Sequence, residues 1–330
     1  ALCFFCAKSL TPRQRLATAL AGGAAVAWCL FFANDFEGLV MKHEPKTEVR
    51  RDYAASVISF GEGFGRRLLV NGIGMTILSP DTKFMVHLPL AYQKARPESA
   101  LIICFGMGTS YRAALSWGIK TTAVELVPSV TKAFGFYHED AARFLDDPNG
   151  RIIIDDGRRF LKRTREKYDA IVIDPPPPVE AAGSSLLYSK EFYTLAKQHL
   201  KPNGILQIWF PDGPLSTAQA IVRSLDESFP YVRCFEGVND WGTHLLASEQ
   251  PIVTVTTEQM VARMPPSARL DLKEYMDTRR YPALPAYLDK VVSQETLASH
   301  VLNPGRSIEI SDDQPFNEYF LLRKWRLYAP

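Results

Sequence analysis

Ala100-Leu-Ile-Ile-Cys-Phe105-Gly106-Met-Gly108-Thr109 is the stretch on which the reading of this chain turns. The unbroken apolar run from Ala100 to Phe105 predicts a strand buried on both faces, and Gly106 and Gly108 predict a tight turn out of it. Thr109 to Trp117 is helical in pattern, and Thr121 to Val124 predicts a short strand ending in Glu125. The alternation continues with a helix over Ser129 to Phe144, a strand over Arg151 to Ile154, a basic helix over Arg158 to Lys167 and a strand over Asp169 to Ile173. Helices over Lys190 to Leu200 and Ser216 to Phe229 then flank a strand over Gly204 to Trp209. Strands near Tyr231 to Glu236 and Thr243 to Ala247 follow. Apolar strands alternating with helices imply an α/β protein with a parallel sheet covered on both faces.

Upstream, Ala55 to Phe60, Arg66 to Val70 and Ile73 to Leu78 are β-like runs, the last two separated by Asn71-Gly72, a two-residue hairpin signal. They predict a small antiparallel unit within 50–80, ahead of a main domain over 84–250. Beyond Pro251 the rhythm fails. Pro265-Pro266, Pro282, Pro285 and Pro304 predict an irregular or helical extension over 251–330.

Residues 1–35 are unlike the rest. Leu16 to Ala33 carries no charge and reaches the lower edge of a bilayer-spanning length, so a transmembrane helix is predicted over 16–33. From this segment the chain is expected to be the tail end of a longer membrane protein, or a processed one. It is expected to be membrane-associated, with its main domain on the cytoplasmic side. Cys3-x-x-Cys6 lacks a second ligand pair and the six histidines fall at no metal spacing, so no metal is expected.

A length of 330 residues suggests about two domains. Lys plus Arg is 38 against 36 for Asp plus Glu, a net charge of +2 that argues against a dedicated nucleic-acid binder. Apolar residues at 46% and charged residues at 22% exclude disorder as the dominant state.

Four strand ends carry chemistry. In an open parallel sheet, ligands bind at the carboxyl ends near the switch in strand order. Gly106 and Gly108 let backbone approach a ligand, beside the free N–H groups that open the helix at Thr109. Glu125, nineteen residues after Gly106, can accept both hydroxyls of a ribose. Asp155-Asp156-Gly157 offers a carboxylate to an exocyclic amine, or alternatively an N-cap to the basic helix. Asp174 is followed by Pro175-Pro176-Pro177-Pro178, which stiffen the exit and hold its carboxylate at the mouth of the cleft, where it can orient and deprotonate an amine. Together these ends predict a nucleoside-cofactor pocket.

The segment from about Ser99 to Ala247 resembles the spermidine synthase (polyamine aminopropyltransferase) branch of the class I, Rossmann-like S-adenosylmethionine-dependent methyltransferase fold. The resemblance rests on Gly106-Met-Gly108, Val124-Glu125-Leu126, Asp156-Gly157-Arg-Arg-Phe-Leu161 and Tyr168-Asp169-Ala-Ile-Val-Ile-Asp174. It continues in Leu187-Tyr188-Ser-Lys-Glu-Phe-Tyr193, Leu200-Lys-Pro-Asn-Gly204, Trp241-Gly242 and the His87-Leu88-Pro89 junction. A hydrophobic helix ahead of such a domain resembles the membrane-linked members of the family.

It implies S-adenosylmethionine or its decarboxylated form as co-substrate, bound by Gly106, Gly108, Thr109, Glu125, Asp155, Asp156, Gly157 and Asp174. Asp174 and Tyr188 would be catalytic, Tyr188 by closing over the cleft. The acceptor would be a small amine such as a polyamine, and the assembly a homo-oligomer or a subunit of a membrane complex.

Three departures stand out. Spermidine synthases carry Gly-Gly-Gly-Asp-Gly where this chain has Gly106-Met-Gly108-Thr109-Ser110, which puts Thr109 in place of the acid that pairs with the donor's aminopropyl amine. They carry Asp-Ser-Ser-Asp-Pro where Asp174-Pro175-Pro176-Pro177-Pro178 stands, so Pro177 replaces the second, amine-binding Asp. Their Tyr-His-Glu is Asp81-Thr82-Lys83 here. The leading expectation is therefore amine alkylation, aminopropyl transfer by resemblance, with N-methyl transfer or a catalytically degenerate membrane-attached subunit as alternatives. Asp212 is a further candidate for reaching the amine. The basic run Arg158, Arg159, Lys162 and Arg163 is read as a solvated face, and no nucleic-acid partner is expected.

Overall fold

The computed structural model describes residues 11–32, 36–44, 46–175, 181, 183–211, 213–301 and 308–319. A four-stranded antiparallel sheet comes first, in the order β1 (Glu48–Arg51), β2 (Ser56–Phe60), β3 (Arg67–Val70), β4 (Ile73–Ile77). The hairpin at Asn71-Gly72 forms with both residues left-handed, φ 50° and 80°, as its turn requires. Strand β1 was not expected. Its sequence Glu-Val-Arg-Arg shows no apolar alternation, and it forms by pairing with the edge of β2.

The helix Pro80–Ala91 joins this unit to an eight-stranded sheet. Its strands are β5 (Ser99–Ile103), β6 (Lys120–Glu125), β7 (Gly150–Ile154), β8 (Tyr168–Ile173), β9 (Leu200–Phe210), β10 (Tyr231–Glu236), β11 (Thr243–Ser248) and the two-residue β12 (Glu295–Thr296). The spatial order is β12-β10-β11-β9-β8-β5-β6-β7. Strands β7, β6, β5, β8 and β9 run parallel, and β11 and β10 add antiparallel beyond β9. From β5 the chain moves outward through β6 and β7, then returns to β8 on the other side. The crevice lies between those two directions.

Helices cover both faces, as the continuous apolar strands demand. Phe160, Phe192, Tyr193, Ile221 and Leu225 fill one face, while Phe84, Leu88, Tyr111, Met260, Tyr287 and Leu288 fill the other. The extension predicted after Pro251 is helical over Thr257–Arg263, Pro266–Lys273 and Leu284–Val292. It completes this second face rather than trailing from the domain. The single helix predicted over Ser129 to Phe144 is instead three short ones, Pro128–Lys132, Phe134–Tyr137 and Ala141–Leu145, broken where His138 turns extended. The basic helix stops at Arg163, where Thr164 takes an extended conformation.

Near the N-terminus, Pro12–Phe32 is a helix with Leu16, Leu20, Val26, Trp28 and Leu30 exposed. Its uncharged part, from Leu16, is about 26 Å long at ~1.5 Å per residue, short of a hydrocarbon core of ~30 Å. Among the described residues no helix is long and apolar enough to cross a membrane. The span expected over 16–33 therefore finds no support, and Cys3, Cys6 and Ala33 lie outside the described residues.

An ionic cluster fastens the extension to the domain. Lys83, fully buried, donates from Nζ to the Asp271 carbonyl at 2.5 Å and to Glu274 at 2.6 Å. Trp117 Nε1 donates to His87 Nδ1 at 2.9 Å, which leaves His87 Nε2–H to donate to Asp271 at 2.9 Å. Arg112 reaches Asp140 at 2.8 Å and also Glu274. Burial works against the charge of Asp271. The His87 hydrogen bond and the charge of Lys83 overcome it and hold the carboxyl down at about 2.

Removing the Asp271 carboxylate would leave buried Lys83 with Glu274 alone and the buried His87 Nε2–H without its acceptor, so Asp271→Ala is expected to cost about 3–5 kcal/mol in urea unfolding at neutral pH. Because the folded pKa lies below the unfolded value of ~3.9, this contribution is complete above that pH and is lost as pH falls through about 2. Equal unfolding midpoints for the two proteins at neutral pH would contradict the assignment.

Candidate active site

Beyond β5 the backbone alternates. Cys104, Gly106 and Gly108 are left-handed at φ 71°, 53° and 80°, with Phe105 and Met107 between them. At Gly108 this conformation is joined by a steric demand, since a Cβ there would stand 2.4 Å from the Phe134 ring. Gly106 faces more open space, its nearest neighbour being the Thr76 methyl at 3.8 Å.

The turn is pinned by Glu125. Phe105 N–H donates to Glu125 Oε2 at 2.8 Å, and Val127 N–H donates to Oε1 at 2.9 Å. Burial pushes this carboxyl up, against the pull of the surrounding backbone N–H groups. The N–H groups of Gly106 and Leu126 add to the pull of Phe105 and Val127.

At the end of β7, Asp156 accepts from Arg159 N–H at 2.7 Å and caps the helix Gly157–Arg163. Asp155 accepts from Asp156 N–H at 2.7 Å and pairs with Arg159. Gly157 is a packing glycine, for a Cβ there would stand 2.5 Å from Ile103. The capping alternative thus holds at Asp156, although its charge still reaches the crevice. Burial pushes the Cys104 thiol up well above its usual value, and the charges of Glu125, Asp174 and Asp156 push it further. Carboxylates from three strand ends thus lie close enough for their charge to act on Cys104.

Asp174 follows β8, its N–H donating to the Ile103 carbonyl at 3.2 Å. Burial pushes its carboxyl up to about 7. No cation among the described residues pairs with it. It borders a cavity of about 330 Å³ between the small sheet and the main one. Thr76 and Met85 form one side, Trp209 and Trp241 another, and Asp81 supplies a second carboxylate. Asp81 is buried, accepting from Val238 N–H at 2.7 Å and from Ser79 Oγ at 3.0 Å.

One expected role changes. Tyr188 does not close over the cleft: it is fully buried in the core, and its hydroxyl donates to the Trp209 carbonyl at 3.3 Å. The Thr109 hydroxyl is engaged, meeting His138 Nε2 at 3.3 Å. Met107, between the left-handed Gly106 and Gly108, is buried. Pro176, Pro177, Pro178 and Asp212 lie outside the described residues.

Asp81, Trp209 and the strained Cys104 were missed as site residues in the sequence. The available signal was the departure at Asp81-Thr82-Lys83, which marked a replaced polar motif without revealing that its first residue faces the cavity. Among the described residues no cluster of His, Cys, Asp and Glu is arranged to hold a metal ion.

Residues 80–229 match the spermine/spermidine synthase domain. The chain is 31% identical over 210 residues to a polyamine aminopropyltransferase of Sulfolobus acidocaldarius, covering 59% of this chain and 68% of that one. It is 27% identical over 259 residues to the polyamine aminopropyltransferase of Sulfurisphaera tokodaii, covering 73% and 84%. The fold is similar to a crystal structure of spermidine synthase in complex with the transition-state analogue AdoDATO, with a TM-score of 0.56, 20% identity, and coverage of 68% of this chain and 87% of that one.

Proposed function

Because the chain belongs to the spermine/spermidine synthase family, alongside polyamine aminopropyltransferases, we propose that it transfers an aminopropyl group from decarboxylated S-adenosylmethionine to an amine seated against Asp174. The observation that carries this reading is Asp174 itself, a desolvated carboxyl at about 7 between the glycine turn and an otherwise largely apolar cavity. A base matched to neutral pH can take the proton that the attacking nitrogen must lose.

The residues present fit the donor. Glu125 stands at the ribose position, and the turn at Gly106 brings backbone close. The charges of Glu125, Asp156 and Asp174, all felt at Cys104, suit a sulfonium cation. The amine nitrogen forms a bond to the carbon beside sulfur, and the carbon–sulfur bond breaks. Its electron pair leaves on sulfur as a neutral thioether, and the proton on nitrogen passes to the Asp174 carboxylate. Charge is dispersed rather than created, so orientation and water exclusion supply most of the catalysis. One observation favours methyl transfer from intact S-adenosylmethionine as a second reading. No residue from Phe105 to Ser110 supplies a carboxylate to the donor's own amine.

Mass spectrometry of amines incubated with the protein and each donor separates the two. The expected product carries an aminopropyl group, and methylated product alone would contradict the proposal. Asp174→Asn is expected to slow transfer at least ~100-fold while calorimetric affinity for the donor stays within about threefold. An undiminished rate would remove Asp174 from the chemistry.

Membrane association through Pro12–Phe32 belongs to the same proposal, as attachment to a bilayer surface. It is supported by the exposed Leu16, Leu20, Val26 and Trp28. The full chain should float with phosphatidylcholine–phosphatidylglycerol vesicles, and a Leu20→Glu, Val26→Glu variant should not. Wild-type protein that stays at the bottom of the gradient would contradict it.

A further inference from the structure

We propose that Asp312 is a positioning residue for donor binding, holding the Arg158 guanidinium off the acids of the donor site so that a cationic donor meets them unopposed. This rests on the transfer reading above, from which it takes the sulfonium charge of the donor. Arg158 is the second residue of the helix Gly157–Arg163. Asp156, which caps that helix, is one of the three acids whose charge acts on Cys104. Arg159 already pairs with Asp155, and among the described residues no cation pairs with Asp156. A free guanidinium beside it would neutralise that acid and repel a cationic ligand.

Arg158 does not share the solvated face of its helix. Its side chain is 15% exposed, where that of Arg159 is 63% exposed. Both terminal nitrogens donate to Asp312, Nη1 to Oδ1 at 2.7 Å and Nη2 to Oδ2. The buried Nε has no hydrogen-bond partner among the described residues, so Asp312 supplies the hydrogen bonding of the whole group. Those bonds push the guanidinium pKa up, burial works against them, and the charges of Glu191 and Asp156 add to the rise. Glu191 already accepts the Asp312 N–H at 3.0 Å. Asp156 is therefore the acid with which Asp312 competes for Arg158.

Asp312 is itself held from several sides. Ser189, fully buried at the start of the helix Lys190–Gln198, donates from Oγ to Asp312 Oδ1 at 2.8 Å. Ile310, also fully buried, accepts the Lys190 N–H on its carbonyl at 3.0 Å, and its own N–H donates to Ser224 Oγ at 2.6 Å. Beyond Asp312, Asn317 donates to Ser184 Oγ at 2.8 Å. Residues 308–319 are thus bound to the domain on both sides of the carboxylate. A forked pair with a carboxylate fixed in this way sets the direction of the guanidinium as well as its charge. Lys162 is the other cation whose charge reaches Asp312, and it is exposed, where water screens it.

Titration calorimetry with decarboxylated S-adenosylmethionine and with the neutral thioether 5′-methylthioadenosine tests this, because the two share a nucleoside and only the first is a cation. Asp312→Asn is expected to weaken donor binding at least ~5-fold while thioether binding stays within about twofold of the wild type. Adding Arg158→Gln to that variant should return donor affinity to within about twofold of the wild type, since the freed cation is then gone. Unchanged donor affinity in Asp312→Asn, an equal loss for both ligands, or a double variant no better than the single would overturn the proposal. Should Asp312→Asn not fold, Arg158→Gln alone decides. It is expected to bind the donor at least as tightly as the wild type, and weaker donor binding would overturn the proposal. Wild-type protein that binds neither ligand would instead overturn the transfer reading on which it rests.

Discussion

Two backbone N–H groups donating into one buried carboxylate set the positions of everything else in the site. Phe105 and Val127, on the exits of adjacent strands, both bind Glu125. That tie fixes the left-handed alternation of Cys104, Gly106 and Gly108, and the alternation brings the helix from Thr109 close beneath β5. With the turn held, the exit of β8 is placed as well, because Asp174 N–H donates back to Ile103, the last residue of β5. A crevice at a switch in strand order exists in many α/β proteins. What distinguishes this one is that acids end β6 and follow β7 and β8, on both sides of the turn after β5.

Desolvation does the chemical tuning. Among the described residues no cation pairs with Asp174, and burial lifts its carboxyl to about 7. At Asp271 the same burial is overruled by His87 and Lys83, and the carboxyl drops to about 2. Asp271 and Asp174 thus serve opposite ends. The paired one binds the extension to the domain, and the unpaired one stays able to exchange a proton near neutral pH.

Much of the parallel sheet was legible because its strands are short apolar runs bounded by glycine, and because acids sit at the ends where such runs stop. Glu125, Asp156 and Asp174 could be named from that pattern alone. The orientation of Tyr188 could not, since a tyrosine after a loop packs inward or outward according to contacts that no local pattern records. Asp81 and the Lys83–Asp271 contact needed the tertiary fold. The latter joins positions 188 residues apart. Strand β1 was hidden for a simpler reason, its charged sequence being tolerated only at a sheet edge.

Asp174, without a cation partner among the described residues, is a desolvated carboxyl held ready as a base. Its titration can be followed directly by carboxyl-carbon NMR of aspartate-labelled protein, with the resonance assigned by its loss in Asp174→Asn. A midpoint of about 7 is expected. A midpoint near the ordinary aspartate value of ~3.9 would contradict it.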